Sequence, residues 1–142
     1  MKTVNLLKLS VGIDSVEHLQ TYRARIRKEG GPKQPRHITR MWPRREAELL
    51  NGGSIYWVIK GVILCRQKIL RLDEVIGEDG IRRCAIVMDP EIIRTQNVVR
   101  RPFQGWRYMD VADSPADLAK GNFAQDDLPP ELMTALADIG VR

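Results

Sequence analysis

"GGSIYWVIKGVILCRQKILRLDEVI", residues 52–76, decides the fold. Its first part, "SIYWVIK" at 54–60, is dense in β-branched and aromatic residues. Such side chains pack well on a pleated surface and lose rotamer freedom in a helix. Gly61 breaks the run, and "VILCRQKILRLDEVI" at 62–76 reads as a long strand, bulged or bent. "GEDG" at 77–80 is a turn, and "IRRCAIVMD" at 81–89 pairs back as a hairpin. Alternation divides these strands into two faces. Ile55, Trp57 and Ile59 oppose Ser54, Tyr56, Val58 and Lys60. Val62, Leu64, Arg66 and Lys68 oppose Ile63, Cys65, Gln67 and Ile69, and Cys84, Ile86 and Met88 oppose Arg83, Ala85 and Val87. One face is nearly apolar. The other carries Arg66, Lys68 and Arg83, which suit a phosphate-bearing ligand and equally suit a solvated outer face.

Residues 3–11, "TVNLLKLSV", have strand length, and Val4, Leu6 and Ser10 share a face with Lys8. Gly12 ends that run. Asp14 is the expected helix cap, with Glu17 completing a capping box. The predicted helix runs to about Glu29 and stops at Gly30-Gly31. Its apolar positions are Val16, Leu19, Tyr22 and Ile26, with Arg23, Arg25, Arg27 and Lys28 expected largely on the solvated side. A proline-bearing loop at 31–35 leads to an extended "RHITRMW" at 36–42. Pro43 can open a short helix, because its missing N–H is not needed in the first turn. A last strand is expected at 106–111, a short helix from Ser114-Pro115, and another from Asp127. The expectation is one α+β domain over 1–142, built on a mainly antiparallel small β-barrel or strongly bent sheet with flanking helices. Residues 112–142 are expected as an acidic helical extension packed on it.

The chain has 142 residues, enough for a real core, and its 43 % apolar and 29 % charged content is that of a globular protein. No apolar run approaches the ~18 residues that a membrane span needs, and the N-terminus reads as a strand; a cytoplasmic protein is expected. Cys65 and Cys84 sit in strand-like runs and are expected to be reduced and buried. Two cysteines and two histidines at this spacing make no zinc site, and neither a metal nor a cofactor is expected. Charge is uneven. From residue 110 onward seven acidic residues face two basic ones, so this part is −5 and the rest +10. A basic body suits an anionic partner.

"RHITRMWPRR" at 36–45 places four arginines beside a histidine and a tryptophan. Trp42, Trp57 and Trp106 each lie within three residues of a cation. Rings beside guanidinium groups can stack on bases, or can be ordinary cation–π pairs and core packing. "RRPFQGWRY" at 100–108 is a tight segment in which Gln104 could reach a base edge. Catalysis has one candidate, His37, a possible acid or base with no nucleophile or carboxylate tied to it by spacing. "GGS" at 52–54 precedes a strand and lacks the lysine of a phosphate loop.

Taken together, "HITRMWPRR", "GGSIYWVIKGVILCRQ" and "RRPFQGWRY" resemble the core motifs of a bacterial family of single-domain proteins of unknown function. That resemblance carries over no catalytic residue. In layout the chain is also similar to PUA-like domains of the ASCH and EVE types. That likeness implies a compact barrel with an RNA or modified-base cleft beside it, although fold does not fix function. The leading expectation is an RNA-binding domain using Arg36, Arg40, Trp42, Arg44, Tyr56, Arg66, Trp106 and Arg107. The arginines would meet phosphate and the rings would meet bases. The alternative is a small enzyme acting on a phosphorylated or nucleotide substrate with His37 as acid or base. A third reading is an interaction module whose basic face meets an acidic protein.

Overall fold

The structure is a computed structural model that describes residues 2–31, 34–101 and 103–118. In chain order its elements are β1 (Val4–Leu9), α1 (Val16–Lys28), β2 (Arg36–Thr39), α2 (Glu46–Leu49), β3 (Ser54–Ile59), β4 (Val62–Ile76), β5 (Arg82–Met88), β6 (Ile93–Val99) and β7 (Trp106–Asp110). A single 3-10 turn, Val111–Asp113, follows. The strands form one mixed sheet in the order β2-β5-β4-β3-β1-β7, with β6 pairing on β4. β1 and β3 run parallel, and the other ladders are antiparallel.

The stretch 52–76 folds as its composition requires. Lys60 and Gly61 both take positive φ, 51° and 82°, which turns β3 into β4 in two residues. Such a turn matches the natural twist of a hairpin, and glycine at its second position costs nothing sterically. β4 is irregular, as expected. Val58 pairs with Ile63 and Trp57 with Cys65, so Leu64 is an extra residue. That bulge changes the expected parity. Ile63 packs with Tyr56 and Val58, whereas Cys65 and Ile69 pack with Trp57.

The sheet is not closed into a barrel. β2 and β7 end its strand order, and no ladder joins them. The gap is spanned by side chains instead: Trp106 Nε1 donates to the Met41 carbonyl at 3.2 Å, and the Arg45 N–H donates to the Tyr108 hydroxyl at 3.0 Å. The strongly bent sheet is the form adopted. Its larger cluster joins Val4, Leu6, Ile55, Trp57, Ile86 and Met88 to Val16 and Leu19 of α1. A smaller cluster of Leu7, Tyr56, Val58, Ile63 and Met109 occupies the opposite face.

Two local expectations change. Ser15, not Asp14, caps α1, accepting from the His18 N–H at 3.0 Å. The short helix expected from Ser114-Pro115 does not form over 115–118. That segment runs alongside β6 instead, with Gln96 N–H bonded to the Ala116 carbonyl and Leu118 N–H to the Arg94 carbonyl, both at 2.9 Å. The helix expected from Asp127, and most of the extension 112–142, lie outside the described residues. Among the described residues no helix is long and apolar enough to cross a membrane.

Candidate anion-binding cleft

The bend that keeps the sheet open makes a cleft between α1 and the concave face. It has a volume of about 590 Å³ and is lined by β1 and the loop after it, by α1, by the start of β2 and by Trp57. This volume is in the usual range for a small-molecule site, roughly 300–1,000 Å³. Lys8, Arg23, Arg25 and Arg36 line it, together with both histidines, His18 and His37. No carboxylate is among the described lining residues.

Three of these inward groups follow from local geometry. Lys8 lies two and four residues after Leu6 and Val4 on one face of β1, opposite Trp57 in the parallel ladder. Arg23 follows Leu19 by four residues and Val16 by seven, so it continues the buried stripe of α1. His37 pairs with Ile86 in the β2–β5 ladder and shares its concave face. The three surround Trp57. The Arg23 guanidinium lies 5.9 Å from its ring centroid, and the His37 ring meets it edge-on at 6.0 Å. Trp57 is itself anchored, since its Nε1 donates to Gln67 Oε1 at 2.9 Å and Gln67 Nε2 donates to the Asp89 carbonyl. A buried amide with both ends engaged fixes the ring that floors the cleft.

Burial disfavours the charged forms here, and for His37 the neighbouring cations add to it. His37 is pushed down to about 4, first by burial and then by Lys8 and Arg23, so its imidazole is neutral at physiological pH. Burial also lowers Lys8 and Arg23. Arg23 Nε is buried without a hydrogen-bond partner among the described residues. Lys8 Nζ donates to the Leu9 carbonyl at 3.1 Å, which leaves two of its three protons for a ligand.

Elsewhere several arginines are neutralised. Arg66 grips Asp117 through two bonds of 2.7 Å, Arg83 grips Asp79, and Arg71, Arg82 and Arg45 pair with Asp73, Glu74 and Glu48. None of Lys8, Arg23, Arg25 and Arg36 has a carboxylate partner among the described residues. Among the described residues the cleft therefore carries net positive charge.

The residues expected from the sequence do not gather in one place. Arg36 and His37 line the cleft. Arg40 and Arg44 are exposed around the turn after β2. Trp42 is half-buried; its Nε1 donates to Glu46 and the Arg82 guanidinium covers its ring at 4.3 Å. Trp106 is buried against Tyr108 and bonded to Met41, and exposed Arg107 lies over Phe103. Tyr56 and Arg66 lie on the convex face in a separate hollow of about 390 Å³. There Arg66 bonds Ser54 Oγ and Asp117, tying the 114–118 segment to the sheet.

Lys8, Arg23 and Trp57 were not among the expected site residues. The signal for Lys8 was its place on the Val4–Leu6 face, and that for Arg23 was its helical spacing from Val16 and Leu19. Among the described residues no group of three or more histidines, cysteines or carboxylates is placed to hold a metal ion. Cys65 and Cys84 are buried free thiols, pushed up to about 12 and about 11, chiefly by burial.

Comparison with curated proteins finds no match, and comparison with solved structures finds none. A family model matches residues 6–142, described as protein of unknown function (DUF1489). The match spans the cleft as well as the sheet, and the chain belongs to the DUF1489 family.

Proposed function

We propose that the protein binds single-stranded nucleic acid, RNA in the first place, with phosphate seated in the cleft between α1 and the sheet. The observation that carries this reading is that Lys8, Arg23, Arg25 and Arg36 line one cleft together with Trp57, with no carboxylate among its described lining residues. Phosphate is the anion that such a set suits, and Tyr22 stands 40 % exposed at the rim with the Arg25 guanidinium 5.5 Å from its ring centroid, so a base stacking there would meet the ring on its uncovered face. Exposed Arg40, Arg44 and Arg107 extend positive charge beyond the cleft. PUA-like domains bind RNA beside a barrel; here the sheet is open, and the reading rests on the cleft alone. The cytoplasmic home expected from the sequence belongs to the same reading.

The test is binding of a labelled RNA oligomer over a salt series. Counterion release predicts a slope of log K against log salt of about −0.7 per phosphate neutralised on a single strand. Arg36→Ala should reduce the slope by about one contact. Binding no tighter than to a neutral polymer at low salt would refute the reading.

A second reading, catalysis on a phosphorylated or nucleotide substrate, is favoured by one observation: His37 is neutral and lines the cleft. A bound phosphate would offset Lys8 and Arg23 and draw the imidazole upward toward a useful acid–base range. Turnover of a nucleotide that is lost in His37→Asn while binding persists would establish this reading.

A further inference from the structure

A second, smaller hollow opens beside the cleft. It has a volume of about 230 Å³ and is lined by Tyr22, Ile26, Pro35, Ile38 and Pro90, with Arg23, Arg27 and Arg36. Tyr22, Arg23 and Arg36 line both spaces, so the two share a wall. One compartment is basic, while the other is largely apolar with cations among its walls. Ile38 and Tyr22, 42 % and 40 % exposed, put accessible apolar surface into this smaller hollow.

The basic compartment is also floored by the core. Leu19 and Trp57, 2 % and 4 % exposed, line it from below. An internal phosphodiester carries one negative charge and needs room for a nucleoside on each side. A terminal phosphomonoester needs room on one side only. It carries about −1.5 to −2 charge and three strong acceptor oxygens. Lys8, Arg23 and Arg36 supply charge-assisted donors to match, and neutral His37 can supply one more.

We propose that the paired compartments bind a nucleoside phosphomonoester, its terminal phosphate in the basic cleft and its base in the apolar hollow across Tyr22 and Arg36. This inference rests on the nucleic-acid reading and narrows it from a strand to the end of one. The same chemistry is presented by a free mononucleotide.

The experiment compares one RNA oligomer in three forms, with a 5′-phosphate, with a 3′-phosphate and with hydroxyls at both ends, alongside AMP and UMP. A phosphorylated form should bind at least tenfold tighter than the hydroxyl form. Arg36→Ala, at an exposed position where folding is undisturbed, should remove most of that preference, as should Lys8→Ala. Ile38→Ser should weaken the oligomer and the mononucleotides alike without reducing the salt slope. Equal binding of all three oligomers, with a steep salt slope, would overturn the terminal-phosphate inference and leave the nucleic-acid reading standing. Tight mononucleotide binding with no oligomer bound would uphold the inference and overturn the strand reading. Absence of binding by every form would overturn both.

Discussion

The rings of His37 and Trp57 meet edge-on with centroids 6.0 Å apart, although their strands are not neighbours in the sheet. β5 and β4 lie between them. Three strand spacings in a flat sheet would put them about 14 Å apart. The contact therefore measures how far the sheet curls. It is also why a cleft exists, since the same curl turns Lys8, His37 and Trp57 toward Arg23 of α1.

His37 makes the cleft sensitive to pH. Its pKa is lowered in the fold to about 4, against about 6.5 for an unperturbed histidine. The unfolded chain thus binds the proton more readily. The stability linked to His37 is fully present above about pH 6.5 and is lost as pH falls toward 4. Thermal unfolding followed between pH 7 and pH 4 should show this loss, and His37→Asn should flatten the curve. Imidazole NMR should place the midpoint near 4 without ligand and higher with phosphate bound. A free-state midpoint near 6.5 would contradict the burial and charge described for this ring.

Arg23 should act oppositely on stability and on binding. It is a desolvated cation whose Nε has no partner among the described residues, facing Lys8 and Arg36 across the cleft. Arg23→Met keeps much of the packing volume and removes the buried charge. The variant should gain about 1 kcal/mol, or about 3 °C in Tm, while losing affinity for a phosphate ligand. A destabilised Arg23→Met with unchanged binding would make this arginine a structural residue.

Arg66 and Trp106 should behave as parts of the scaffold. Arg66 is held by Asp117 and Ser54, and Trp106 by Met41 and Tyr108. Asp117→Ala leaves a half-buried guanidinium without its carboxylate and should cost about 1–3 kcal/mol. Trp106→Phe removes one hydrogen bond and should cost about 1 kcal/mol. Neither should alter the salt slope of RNA binding. A steeper slope in Asp117→Ala would show that Arg66, freed of its carboxylate, reaches the ligand.

Much of the fold was legible in residues 52–89, because period-2 alternation and the Lys60-Gly61 break are local signals. The extra residue at Leu64 was not, since a bulge depends on what each side of the strand meets. The open sheet was not legible either. Closure depends on whether β2 and β7 pair, and no local pattern in "RHIT" or "WRYMD" decides that. The site was half legible. Arg36 and His37 stand out because charge and ring chemistry cluster in their segment. Lys8 and Arg23 are single cations inside apolar stripes; no cluster of charge marks Lys8, and Arg23 reads as part of the solvated side of its helix. Trp42 and Trp106 mislead for the opposite reason. Their cationic neighbours in sequence suggest stacking on a ligand, yet their rings are taken up by Arg82 and Tyr108.

The two thiols should be inert in the native protein. Cys65 and Cys84 are fully buried, and burial raises both well above the ordinary thiol range. A thiol reagent at pH 8 should label neither until denaturant unfolds the sheet. Rapid native labelling of Cys84 would show that β5 opens locally.

The most direct test of the central claim is chemical-shift mapping of the 15N-labelled protein with an RNA oligomer carrying a terminal phosphate. The account predicts that the largest changes fall on Lys8, Ser10, Arg23, His37 and the indole N–H of Trp57. Changes confined to Arg40, Arg44 and Arg107, with the Trp57 indole unmoved, would contradict it and place the ligand on the outer surface.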